Sequence, residues 1–173
     1  ESLTIQISCL TLKSMIKQTI FAVSELDSKP VHTGTLFDLS DGMLTLVSVD
    51  GFRFALRKEF IEENKTTQFV VPGKTLSEIL RLIPDDDEII QISIGVRHII
   101  FKVAGYQIFS RLLEGQFLDY KAAIPSVFST KARVNVNSLT ESIDRVSLLI
   151  ADKLKSPVCC LVSNDEFNLS CVT

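Results

Sequence analysis

One pattern, a strand followed by a helix and three strands, runs through this chain twice and begins a third time. Thr4–Ser8 alternates apolar and polar residues, the period of a half-buried strand. Leu12, Met15, Ile16, Thr19, Ile20 and Val23 then recur at helical spacing, which predicts a helix over residues 10–25. Strand-like runs follow at Val31–Leu39, Met43–Val49 and Phe52–Arg57, separated by Ser40-Asp41-Gly42 and Asp50-Gly51. Asp-Gly pairs favour hairpins because glycine tolerates positive φ. The cycle restarts with a strand at Gln68–Val71 and a short helix marked by Leu76, Ile79, Leu80 and Ile83, stopped by Pro84. Strands at Ile89–Ile94, Ile99–Val103 and Ile108–Leu113 complete it.

A third copy is predicted after Pro125, with a strand at Arg133–Asn137, a helix along Leu139, Ile143, Val146 and Ile150, and strands at Val158–Val162 and Phe167–Val172. Ser8-Cys9-Leu10-Thr11 is echoed by Asn137-Ser138-Leu139-Thr140, and Lys29-Pro30-Val31 by Ser156-Pro157-Val158. Repetition on this scale outweighs any single segment. It implies an α+β architecture in which each unit lays one helix over an antiparallel sheet. The third copy breaks off at Thr173 with its sheet unfinished, so the chain is expected to be a piece of a longer protein.

Composition narrows the function classes. With 18 basic and 21 acidic residues the net charge is −3, whereas groove-reading DNA binders usually carry a basic excess. Any contact with nucleic acid must then rest on a local basic face. No apolar run approaches the ~20 residues of a membrane span, and Glu1-Ser2-Leu3-Thr4 does not open a signal peptide. Cys9, Cys159, Cys160 and Cys171 contain no CxxC pair, and His32 and His98 lie far apart, so no metal site is expected. Reduced thiols in the cytoplasm are the expectation.

Catalytic machinery is not legible either. Val71-Pro72-Gly73-Lys74-Thr75 is reminiscent of a phosphate loop, but Gln68 stands where the first glycine must be, and Pro72 removes an amide. The pair Pro72-Gly73 reads as a helix opening. Asp85-Asp86-Asp87-Glu88 lacks the ligand alternation and glycine of a calcium loop, and reads as a solvated turn. No catalytic constellation and no cofactor are expected.

Val47-Ser48-Val49-Asp50-Gly51-Phe52-Arg53-Phe54-Ala55-Leu56-Arg57 resembles the bacterial sliding clamp family, the beta subunit of DNA polymerase III. Val70–Leu76 is similar to the second-helix entry of that family's middle domain. Phe109–Gly115 with Phe117-Leu118-Asp119-Tyr120 is similar to its last strand and exit loop, and Ile143–Leu149 to the opening helix of its third domain. The resemblance implies the DNA clamp fold, with repeated strand–helix–three-strand units, antiparallel sheets and helices on one face. It places the middle domain at residues 1–125 and the truncated start of the third at 126–173. It also implies a non-catalytic, cytoplasmic bacterial processivity factor. Its partners would be duplex DNA encircled by a homodimeric ring, the polymerase III catalytic subunit, the clamp loader and other clamp-motif proteins.

Two sets of site residues follow from the resemblance. Lys13, Lys17, Lys74, Arg81 and Arg145 would face DNA; spacing alone makes them solvated helix faces. A peptide-binding groove would use His32, Val49, Gly51, Phe52, Arg53, Phe54, Leu118, Ala122 and Ala123. Alternation puts Phe52 and Phe54 on one strand face, which is also the pattern of two core residues. The family commonly carries Leu at His32, Thr at Val49, His at Phe52, Leu at Phe54, Pro at Leu118 and bulkier residues at Ala122 and Ala123. The pocket stays apolar while its shape changes. The alternative reading is a protein-interaction module of similar fold with no DNA role.

Overall fold

The structure is a computed structural model and describes residues 3–25, 29–150, 158–163 and 166–171. The chain divides into two compact units, Glu1–Lys121 and Ala122–Thr173. In the first, β1 (Leu3–Ser8), α1 (Cys9–Lys17), β2 (Gly34–Ser40), β3 (Met43–Val49) and β4 (Phe54–Phe60) form one repeat. β5 (Thr67–Pro72), α2 (Gly73–Leu82), β6 (Ile89–Ile94), β7 (His98–Val103) and β8 (Tyr106–Arg111) form the next.

Each repeat gives its first strand to the other's sheet. The sheets run β4-β3-β2-β5 and β1-β6-β7-β8, antiparallel throughout. The repetition is as the sequence indicates, but a repeat does not own its sheet. The two helices contact each other and sink Leu12, Met15, Leu76 and Ile79 into a single core with residues from both sheets.

The sheets differ in what covers their outer faces. β6 alternates buried and accessible residues, leaving Gln91 and Ser93 half-buried. Along β2, Leu36, Phe37, Asp38 and Leu39 are all at most 3% exposed, so both faces are covered. The segment 112–121 crosses the outer face, where Leu36, Val47 and Val70 pack with Val31, Tyr120, Phe54, Leu56, Leu113 and Phe117. Local periodicity cannot announce such a cover, because it arrives from about eighty residues away along the chain.

Several boundaries differ from the sequence reading. The helix expected over 10–25 ends at Lys17 and gives way to a 3₁₀ turn, Ile20–Ala22. Thr19 bends the chain by donating its hydroxyl to the carbonyls of Met15 and Ile16. The strand expected from Val31 starts at Gly34, after a 3₁₀ turn over Pro30–Thr33. The strand expected from Phe52 starts at Phe54, because Asp50–Arg53 closes the turn.

The second unit holds the short helix end through Ala123, then α4 (Val136–Ser147), with α3 being Tyr120–Ala123, and a hairpin of β9 (Val158–Val162) and β10 (Phe167–Cys171). The expected strand Arg133–Asn137 is not formed: Asn135 instead caps α4, its side-chain oxygen accepting from the Ser138 amide. Residue 172, at the end of the last expected strand, lies outside the described residues. No helix among the described residues is long and apolar enough to cross a membrane.

Candidate peptide groove and basic helix face

The β3–β4 turn is rigid for a chemical reason. Asp50 accepts hydrogen bonds from the amides of Phe52 (3.1 Å) and Arg53 (3.2 Å) through one oxygen. Its other oxygen takes the Arg53 Nε at 2.9 Å. The Phe52 amide first, and then the Arg53 side chain, hold the Asp50 carboxyl below its ordinary range. Gly51 sits at φ +90° with no atom near a hypothetical Cβ, so glycine is needed there for the backbone rather than for space.

Arg53 folds back from the tip. Its guanidinium lies 5.5 Å from the Phe21 ring centre, and Nη2 donates to the Phe21 carbonyl at 3.3 Å. Phe52 is left fully exposed. The expectation that Phe52 and Phe54 share a strand face is therefore corrected, since Phe52 belongs to the turn. Phe54 opposes Val49 in the ladder and is half-buried against the outer-face cluster.

His32, on the Pro30–Thr33 turn, meets the Phe117 ring edge-on at 5.4 Å and 71°. Burial first, then the charge of Lys29, pushes its pKa below the usual histidine value. A shallow cleft of about 430 Å³ is bounded by Val31, His32, Gly115, Phe117 and Leu118, with Lys29 and Glu114 at its polar margin. The structure thus brings His32 and Leu118 into one cleft, with Val49 and Phe54 on the same sheet face and Gly51, Phe52 and Arg53 at the adjoining hairpin tip. Ala122 and Ala123 are exposed residues of the second unit. Sequence reasoning missed Phe21, Val31, Gly115 and Phe117 as lining or supporting groups. Phe117 was visible in the exit-loop motif, but its contact with His32 was not.

On the helices, Lys17, Lys74 and Arg81 are exposed, and Arg81 pairs with Glu78 one turn away at 2.9 Å. Lys13 behaves differently: it donates to the Ile83 carbonyl (3.0 Å) and to Asp85 (2.6 Å), leaving its side chain 12% exposed. That ammonium staples α1 to the end of α2, and its hydrogen bond is the main reason the Asp85 carboxyl lies below its ordinary range. Spacing along α1 could not reveal a carbonyl supplied by another helix. Arg145 is exposed on α4, where it donates to the Ser142 hydroxyl at 2.9 Å. Among the described residues, no group of three or more His, Cys, Asp or Glu side chains is placed to hold a metal ion.

Residues 6–119 match the family of the DNA polymerase III beta subunit, central domain. The chain belongs to this family. A beta sliding clamp of Bacillus subtilis is 36% identical over 151 residues, covering 86% of this chain and 40% of the relative. Among solved structures, one from Eubacterium rectale, provisionally assigned as a DNA polymerase III beta subunit, superposes with a TM-score of 0.93 at 35% identity, covering 96% of this chain and 46% of that one. The DNA polymerase sliding clamp of B. subtilis gives 0.85 at 29% identity, covering 98% and 48%. The chain therefore spans about half the length of the relatives it matches, and its two sheets and paired helices are the clamp fold.

Proposed function

We propose that this chain is part of a DNA polymerase III sliding clamp, a non-catalytic processivity factor. Residues 1–125 would be its middle domain and 126–173 the start of the third. In the complete protein, two subunits would close a ring around duplex DNA. The ring would tether the polymerase catalytic subunit, the clamp loader and other clamp-motif proteins in the bacterial cytoplasm. The observation that carries this reading is the division of labour across one sheet. One face of β4-β3-β2-β5 packs towards the paired helices, while the other is covered by the segment 112–121, whose Gly115, Phe117 and Leu118 bound a shallow cleft with Val31 and His32.

A ring that slides needs weak, sequence-blind phosphate contacts, which Lys17, Lys74 and Arg81 on α1 and α2 suit. Arg145 on α4 would contribute likewise from the next domain. Lys13, tied to Asp85 and Ile83, would stiffen the face more than touch DNA. An acidic total charge is compatible with this role, since encirclement rather than net attraction retains the duplex.

The test of the DNA role is a processivity assay with the complete subunit in which Lys17, Lys74 and Arg81 are changed to Glu. Shortened, more salt-sensitive extension supports a DNA-facing role; unchanged extension removes it and favours an interaction module. The groove is tested by titrating a labelled clamp-motif peptide into this chain. Weak binding, at high micromolar Kd or above, is expected, because in the complete protein the third domain would supply much of the groove's other wall.

A further inference from the structure

The covered outer face of β4-β3-β2-β5 is apolar except around one ionised group. Asp38 lies on an inner strand between β3 and β5, with a side chain only 2% exposed. Tyr120 donates its hydroxyl to Asp38 Oδ2 at 2.6 Å, and Lys121 Nζ lies 3.1 Å from the same oxygen. Gln68, opposite Asp38 on β5, adds a side-chain hydrogen bond, and Thr45, opposite it on β3, bonds Tyr120. Burial on its own pushes the Asp38 carboxyl up, but the bonds from Tyr120, Gln68 and Lys121 together outweigh it and leave the pKa lowered.

The covering segment is fixed at two ends. Upstream, the Leu113 amide donates to the Val70 carbonyl at 2.9 Å. Downstream, the polar node seizes Tyr120 and Lys121. Between these anchors lie Gly115, Phe117 and Leu118, which form one wall of the cleft. Gly115 turns the segment at φ +134° against Val31, where a Cβ would sit in ordinary van der Waals contact at 3.5 Å. An apolar residue at position 38 would bury equally well, but it could not select one register for the segment above it. A buried carboxylate with one hydroxyl and one ammonium to satisfy does select a register, because slippage leaves the charge unpaired.

We propose that Asp38, acting through Tyr120 and Lys121, is a positioning residue that sets the placement of Phe117 and Leu118 in the peptide cleft. This rests on the groove reading above. Asp38 touches no peptide itself; it fixes the wall that does.

Three variants of the whole chain test it. Tyr120→Phe deletes only the hydroxyl, Asp38→Asn keeps an acceptor while removing the charge, and Lys121→Met alters a side chain that is 61% exposed and leaves the core alone. Two quantities are read: amide exchange across 113–118, and the Kd of a fluorescein-labelled clamp-motif peptide. For Tyr120→Phe, exchange in that segment is expected to rise about tenfold relative to β2 and β3 amides. The Kd is expected to rise about threefold or more, mostly through a faster off-rate. Asp38→Asn and Lys121→Met shift both quantities the same way by less.

A role in stability alone would accelerate β2 and β3 equally and leave the Kd unchanged. Segment exchange that stays at the wild-type rate overturns the proposal, and so does a loosened segment with unchanged Kd. A wild-type chain that takes no peptide overturns the groove reading, and with it the positioning role. That outcome is distinguishable, because the loosening is still measured without peptide.

Discussion

Gly34 shows how much one missing side chain decides. A Cβ there would lie 2.5 Å from the Val71 carbonyl oxygen and 2.8 Å from Leu113 Cδ1, so β5 and the covering segment both depend on its absence. The backbone oxygen cannot yield without breaking the ladder, and Gly34→Ala is expected to cost about 3 kcal/mol, an overpacking penalty read from urea denaturation. His32 gives a prediction in pH. Its folded pKa is depressed below 6.5, so the unfolded chain binds the proton first as pH falls. The stability it contributes is present above the ordinary histidine value and lost as pH drops through the folded one, with burial first and then Lys29 opposing the charged form. An imidazole titration by NMR is expected to show a midpoint below the free value, and His32→Leu is expected to flatten the stability change between pH 7 and 5. The Asp50-Gly51 turn was legible at this scale, because an Asp-Gly pair before a strand has a local mechanism. The partner of Asp38 was not, since Tyr120 stands 82 residues away.

At the scale of elements, errors in the sequence reading fell where a side chain competes with the backbone. Thr19 ended α1 through its hydroxyl, and Asn135 turned an expected strand into the start of α4. Both residues carry local signals that periodicity counting overlooks. The Asn135 cap is exposed and serves a helix with no buried residues, so little else holds the first turn of α4. Replacing Asn135 with Ala is expected to destabilise that helix by about 1 kcal/mol. Faster amide exchange at Ser138 and Leu139, with β2 and β3 unaffected, is the measurement; unchanged exchange would mean that packing on β10 alone sustains the helix. Strand alternation in β6 and β7 was read correctly because one face of their sheet is open. β2 and β3 were read as strands too, but the covering of both their faces was not, because it comes from a segment distant in the chain.

For the whole molecule, the exchange of β1 and β5 between the repeats has a thermodynamic consequence. Letters and periods disclosed two repeats; they could not disclose which sheet each first strand joins, because an antiparallel ladder carries no label of origin. Since each sheet contains a strand from the other repeat and the core draws on both, neither repeat has a complete sheet or a closed core of its own. Residues 3–121 should then unfold as one cooperative body despite their modular sequence. Leu44 lies in the first repeat and Phe101 in the second, and both are fully buried. Leu44→Ala is expected to cost about 3 kcal/mol and Phe101→Ala about 4 kcal/mol. Each should lower the same single transition whether it is followed by circular dichroism or by exchange at amides of the other repeat. Two separable transitions, with Leu44→Ala sparing β7 and Phe101→Ala sparing β3, would show that the repeats fold as independent modules despite the shared strands. A single transition would also mean that a core mutation under one helix loosens the other, since α1 and α2 rest on the same core.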